Sequence, residues 1–146
     1  MKEFQGRVVI PGQVKAKALV TKSGFNTLAS FQKSLMFNDK KATCSDQNNQ
    51  DLYKKKMARK ALCMPQTIGS TTGGMVLYCA CDMGASPACL LFSNTIDSLA
   101  AAGAILSDIW TDINLPTIDN LGQDFLNYVK DGMTVEVLDG GIVRVY

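Results

Sequence analysis

The chain has 146 residues and a formal net charge of +2, and 47% of its residues are apolar and 19% charged. This length and composition predict one globular domain, residues 1–146, with a core of its own. The small charge argues against a broad basic surface for nucleic acid. The sequence has no run of about 18 apolar residues, so we expect no membrane span. The N-terminus lacks the apolar core of a signal peptide, so we expect a cytoplasmic protein.

The chain contains no histidine and five cysteines. The missing histidines exclude Ser-His-Asp and Cys-His triads and most zinc catalysis within this chain, which therefore supplies only part of any active site. An odd number of cysteines argues against a disulfide framework, and their spacing predicts no metal site. We expect Cys63, Cys79 and Cys89 in the core. Cys44 lies among polar residues and is predicted to be an incidental surface thiol or, alternatively, a thiol that faces a substrate.

The first third of the chain is predicted to begin with two strands, 7–10 and 14–20, joined as a hairpin by a Pro11-Gly12 turn. The following polar segment, 21–49, carries apolar residues at three- to four-residue spacing. A short helix and a structured loop both fit this spacing. Its end, 44–51, is rich in Asp, Asn and Gln, and predicts either an Asx-rich surface turn or an active-site lid.

The rest of the chain alternates between apolar runs and helical patterns. Strands are predicted at 61–64, 88–93, 105–110, 114–118, 134–138 and 142–146, the last two as a hairpin through 139–141. Helices are predicted at 75–83 with Gly84 as its C-cap, at 97–104 with Gly103 near its end, and at 122–128.

This order of elements predicts an α/β fold with a mostly parallel central sheet and a second, antiparallel layer. In such sheets ligands bind beyond the carboxyl ends of the strands. The loops that follow Met64 and Phe92 are expected to meet at that edge, and both are rich in small polar residues.

The loop Gly69-Ser70-Thr71-Thr72-Gly73 lies between a predicted strand and a predicted helix. The free backbone N–H groups at a helix N-terminus favour an anion, so a substrate carboxylate or phosphate suits this position. Ser70 could be an ordinary N-cap or a chemical group, and spacing alone favours the cap.

Three segments in this order resemble the swivel domain of the aconitase X family: Lys60-Ala61-Leu62-Cys63-Met64-Pro65 leading into the Gly69–Gly73 loop, Pro87 to Phe92, and Ala102-Gly103-Ala104-Ile105. The resemblance covers the chain from about Arg7 onward. It implies a swivelling β/β/α three-layer domain that acts as the small subunit of a heterodimeric dehydratase. It also implies that cysteines of the large subunit hold an iron–sulfur cluster, and that this chain binds none alone.

The resemblance further implies that Ser70 is the base that removes the proton during water elimination. Gly69, Thr71, Thr72 and Gly73 are then expected to bind the substrate. The cluster of the partner is expected to act as the Lewis acid on the leaving hydroxyl, and Cys44 could face that cluster. The alternative of another class is a non-catalytic binding module with the same swivel fold.

Members of the family dehydrate mevalonate 5-phosphate in archaea or cis-3-hydroxy-L-proline in bacteria. Many relatives lead into the loop with a basic sequence of the kind Gly-Arg-Gly-Ser, whereas this chain has Gln66-Thr67-Ile68-Gly69. The missing positive charge favours an unphosphorylated hydroxy acid such as cis-3-hydroxy-L-proline. Phosphomevalonate is the alternative substrate, because the large subunit could supply the phosphate contacts.

Overall fold

The structure is a computed structural model that describes residues 1–69 and 71–146. Its strands are β1 Lys2–Gln5, β2 Arg7–Ile10, β3 Val14–Val20, β4 Phe25–Asn26, β5 Ala61–Met64, β6 Thr67–Ile68, β7 Cys89–Phe92, β8 Thr117–Asp119, β9 Thr134–Leu138 and β10 Ile142–Val145. Its helices are α1 Thr27–Phe37, α2 Gly73–Asp82, α3 Ser98–Trp110 and α4 Gln123–Tyr128. Within the described ranges, no helix has both the length and the apolar character needed to cross a bilayer.

Eight strands form one sheet in the order β1-β10-β9-β3-β5-β7-β8-β2, and β4 and β6 form a separate short pair. Strands β3, β5, β7 and β8 are parallel, and β2 adds to β8 in the antiparallel sense. Strand β3 belongs to two layers: Val14 to Lys17 pair with antiparallel β9, and Ala18 to Val20 pair with parallel β5. This arrangement confirms the predicted mostly parallel central sheet with a second, antiparallel layer.

The central strands are buried on both faces, as their continuous apolar sequences predict. One face, with Leu62, Met64 and Phe92, packs in a core with helices α1, α2 and α3. The opposite face, with Cys63 and Leu91, packs against the antiparallel layer and α4. Two cores on either side of one sheet give the β/β/α three-layer architecture expected from the resemblance.

The predicted hairpin between 7–10 and 14–20 is wrong. Strands β5, β7 and β8 separate β2 from β3 in the sheet, so the Pro11-Gly12 segment connects distant strands instead of turning tightly. Each strand finds a better partner far along the chain. Arg7 lies opposite Asp119, and Lys15 lies opposite Glu136. These pairs of opposite charge favour the long-range pairing over the local turn.

The predicted strand at 105–110 is also wrong, because these residues form the second half of α3. A short apolar run such as Ile105-Leu106 fits a strand or a buried helix equally well by pattern alone. Gly103 consequently lies inside α3 and not near its end. The strand predicted at 114–118 is shorter and shifted, since β8 spans Thr117–Asp119.

Glycines 74 and 103 explain how closely α2 and α3 pack. A Cβ on Gly103 would lie 2.5 Å from the carbonyl oxygen of Gly74, and a Cβ on Gly74 would lie 2.5 Å from that of Leu99. Both positions are buried. The backbones of the two helices therefore touch at this crossing, which leaves no room for any side chain there.

The polar segment after β3 contains a helix, α1, and not only a loop. The stretch 44–51 forms the predicted Asx turn, in which the Asp46 carboxylate accepts a hydrogen bond from Asn48 N at 3.0 Å. This turn packs inward, because Asn49 is buried and its amide oxygen lies 3.3 Å from the Thr21 hydroxyl. The segment is thus anchored to the loop after β3.

The cysteines divide into four buried thiols and one that is half-buried. Cys63 and Cys89 lie in the core between the central parallel strands and the antiparallel layer, as predicted, whereas Cys79 is only half-buried. The prediction of Cys44 as a surface thiol is wrong, since it is 1% exposed. Burial raises the pKa of Cys44, Cys63 and Cys81, and raises that of Cys89 to about 12.

Replacement of Gly103 by Ala should lower the free energy of unfolding by about 1–3 kcal/mol, because the added methyl overpacks the helix crossing. Glycine-to-alanine changes inside an exposed helix normally gain about 1 kcal/mol, so the expected sign is reversed. Urea unfolding measures the difference. The control is Ala102→Gly at the exposed neighbouring position, because this change alters helix propensity without affecting the crossing. A Gly103→Ala chain more stable than wild type would contradict the close crossing.

The thiols predict a simple labelling pattern. At pH 8 iodoacetamide should modify Cys79 first, because the raised pKa values leave the four buried cysteines as inaccessible thiols with little thiolate. Peptide mass spectrometry after brief labelling identifies the modified positions. Labelling in urea is the control, and should modify all five. Rapid labelling of Cys44 in the folded chain would show that its burial is wrong.

Candidate functional site

A cleft of about 160 Å³ opens at the carboxyl edge of the parallel strands. The described residues that line it are Thr27, Thr67, Ile68, Gly69, Gly73, Gly74, Asp97, Leu99 and Ala100. They come from the first turns of three helices and from the loop after β5. The crossover from one parallel strand to the next begins at this edge, so α1, α2 and α3 all point their N-termini toward the cleft. The expectation that the loops after Met64 and Phe92 meet here is confirmed.

The loop after β5 is held against the start of α1. Phe25 N donates to Gln66 O at 2.8 Å, and β4 pairs with β6 in parallel. Asn26 caps α1 through its side-chain oxygen, which accepts from Ala29 N at 3.1 Å. Gly69 has φ of +99°, and a Cβ there would lie 2.5 Å from the Asn26 amide nitrogen. The chain needs glycine at this position for both reasons.

Asp97 is the cap of α3 and also lines the cleft. One carboxylate oxygen accepts from Ala100 N at 3.0 Å, and the other accepts a hydrogen bond from the Thr67 hydroxyl. Among the described lining residues Asp97 is the one ionisable side chain. Asp97 is not among the site residues predicted from the sequence. An Asp before a helical pattern, in the loop after a buried strand, was the available signal.

A second carboxylate, Asp119, stabilises the loop that carries Asp97. Asp119 is fully buried at the end of β8, and one of its oxygens accepts from Ile96 N at 2.8 Å. Arg7 binds the same carboxylate with two donors, at 2.9 and 2.6 Å. The hydrogen bond and the charge of Asp119 raise the pKa of Arg7. This bidentate pair fixes the β2 edge to the start of α3.

The structure brings some of the predicted site residues together. Gly69 and Gly73 line the cleft, whereas Thr71 and Thr72 are exposed in the turn that leads into α2. Ser70 lies outside the described residues. Cys44 lines a separate hollow beside Thr43 and Tyr53.

The described residues contain no group of three or more His, Cys, Asp or Glu side chains that could hold a metal ion. They therefore do not fit an iron–sulfur cluster bound by this chain.

Comparison with known proteins extends these observations. The model of the family described as the aconitase X swivel domain matches residues 3–145. The small subunit of phosphomevalonate dehydratase from Methanosarcina mazei is 29% identical over 135 residues, covering 92% of this chain and 84% of that protein. The subunit of the same name from Methanocella arvoryzae is 29% identical over 145 residues, covering 98% of each chain.

Two solved structures share the fold. The holo-form of aconitase X from Thermococcus kodakaraensis superposes with a TM-score of 0.83 at 23% identity, covering 100% of this chain and 99% of the other. A UPF0107 protein solved by NMR gives a TM-score of 0.79 at 24% identity, covering 99% of each chain. The β/β/α architecture and the family match over nearly the whole length agree. The chain belongs to the aconitase X swivel-domain family.

Proposed function

We propose that this chain is the small subunit of a heterodimeric hydro-lyase that removes water from a small hydroxy acid. The cleft at the three helix N-termini supports this proposal most directly. Its backbone N–H groups suit the carboxylate of such a substrate, and its described lining offers a single ionisable side chain. A partner is needed to complete a reaction site of this kind, and the names of the relatives refer to small subunits.

Ser70 is the proposed base. Water elimination breaks one C–H bond and one C–O bond, and the base takes the proton from carbon. Because a serine hydroxyl is a weak base, its alkoxide needs stabilisation by nearby N–H groups or positive charge. Support comes from the family resemblance of the loop and from its neighbours Gly69 and Gly73, which both line the cleft. Thr71 and Thr72 are proposed to contact the substrate from the same loop.

The iron–sulfur cluster is proposed to lie on the large subunit. The whole chain, 1–146, is proposed to act as one swivel domain that closes the shared site. Localisation in the cytoplasm stays a prediction from the sequence.

The proposed substrate is cis-3-hydroxy-L-proline. Proteins commonly bind phosphate groups with arginine or lysine, and neither residue type lines the described part of the cleft. Phosphomevalonate is the second candidate, because the curated relatives carry that name. It requires phosphate contacts from the large subunit or from a helix N-terminus.

The change Ser70→Ala tests the proposed base. In the complex with the large subunit it should lower kcat by about 10²-fold or more, the usual contribution of a general base. Ser98→Ala, exposed at the start of α3, is the matched control and should leave kcat unchanged. A role as helix cap alone would lower stability by about 0.5–2 kcal/mol and leave turnover intact. That outcome would favour the non-catalytic binding module.

The substrate is tested by assaying the purified complex with cis-3-hydroxy-L-proline and with phosphomevalonate. We expect a higher kcat/KM for the hydroxyproline, because the cleft supplies no cationic side chain for a phosphate in its described part. Mass spectrometry of the dehydrated product measures both reactions. Selective turnover of phosphomevalonate would overturn the proposed substrate and retain the dehydratase.

A further inference from the structure

We infer that Asp97 determines substrate specificity by binding a protonated amine, so that the cleft selects a zwitterionic hydroxy amino or imino acid. This inference rests on the proposed function, because it places Asp97 in the dehydratase site. It adds a residue and a chemical group to that proposal. The amine is the feature that separates hydroxyproline-like substrates from hydroxy acids that carry only negative charge.

The carboxylate of Asp97 is held in a fixed orientation at the wall of the cleft. Thr67 donates to one oxygen and Ala100 N donates to the other at 3.0 Å. A carboxylate offers about four acceptor positions, so two hydrogen bonds leave capacity for a further donor. The side chain is only half-buried, and it lines the cleft from which a ligand would approach.

The charge of Asp97 has no cationic partner in the described chain. The three ion pairs of the described residues join Arg7 to Asp119, Lys55 to Asp131 and Arg144 to Glu3. Arg7 is linked to the residue before Asp97, because the Asp119 carboxylate that it binds also accepts from Ile96 N. Both hydrogen-bonding nitrogens of Arg7, however, are occupied by Asp119. An ammonium group of the ligand therefore meets a carboxylate that has no cationic side chain among the described residues and is balanced only by the N-terminus of α3.

The cleft then presents two regions of opposite polarity. The start of α2, with Gly73 and Gly74, offers backbone N–H groups and the positive end of a helix dipole, which favour a carboxylate. Asp97 offers negative charge at the start of α3. An α-amino acid carries its carboxylate and its ammonium on the same carbon, and both groups find a partner here. A substrate with a second anionic group would meet repulsion from Asp97.

The experiment uses the complex of this chain with its large subunit and the variant Asp97→Asn. Asparagine is as good a helix cap as aspartate: its amide oxygen can accept from Ala100 N while its NH2 group donates to the Thr67 hydroxyl, so the variant removes the charge and can keep both local hydrogen bonds. Two pairs of compounds report on the amine. The substrates are cis-3-hydroxy-L-proline and 2-hydroxycyclopentanecarboxylate, and the inhibitors are L-proline and cyclopentanecarboxylate. In each pair the second compound replaces the ring nitrogen with carbon.

Asp97→Asn should raise KM for the hydroxyproline, and the inhibition constant of L-proline, by ~10-fold or more, as expected for the loss of a hydrogen bond to a charged group. Both constants for the nitrogen-free compounds should change little or improve. An equal effect on both members of a pair would overturn the inference, since a structural cap cannot distinguish them. Retention of wild-type constants for all four compounds would also overturn it.

The same data separate this inference from the proposed function. Turnover of phosphomevalonate alone overturns the role of Asp97 and keeps the dehydratase. If no hydroxy acid is turned over, the proposed function fails, and calorimetric binding of L-proline against cyclopentanecarboxylate to the complex then decides on Asp97. Equal affinities would overturn the inference, and an Asp97-dependent preference for L-proline would support it. Thr67→Val is the matched control that loosens the carboxylate while keeping its charge, and should weaken L-proline less than Asp97→Asn.

Discussion

The backbone contact between α2 and α3 is the constraint on which the site depends. Gly74 and Gly103 bring the two helices so close that an added Cβ would lie 2.5 Å from a carbonyl oxygen of the other helix. Gly74 is the second residue of α2 and lines the cleft, and Asp97 caps α3. The contact therefore sets the distance between the N-terminus of one helix and the carboxylate that begins the next. Gly74 therefore serves both the helix packing and the lining of the cleft.

The cleft is built mainly from backbone groups and small side chains. Such a surface binds by geometry and by fixed dipoles, which a single substitution cannot easily remove. Its rigidity comes from outside the cleft: Asn26 supports Gly69, and Asp119 with Arg7 supports the start of α3. The charged and amide side chains thus shape the site more than they fill it, with Asp97 as the exception.

Local patterns predicted the elements that are continuous in sequence. Apolar runs and turn residues predict the buried strands β5 and β7, the C-terminal hairpin, and the edge at which the loops after β5 and β7 meet. Long-range pairing could not be predicted in the same way. The pairing of Arg7 with Asp119 joins residues 112 positions apart, and it overrides the turn signal at Pro11-Gly12. Asp97 was not predicted as a site residue for a related reason. An Asp at the start of a helix is fully explained by capping, and only the fold shows that it also lines the cleft. The resemblance predicted Ser70, which the described residues do not test.

Strand β3 has a consequence for how the molecule holds together. Its first half is part of the antiparallel layer and its second half is part of the parallel sheet. Neither layer can release this strand without exposing a core of the other. The two layers therefore open in one cooperative transition instead of as separate units. The seven residues of β3 thus couple the unfolding of the parallel strands to that of the C-terminal hairpin, which lies far away in the sequence.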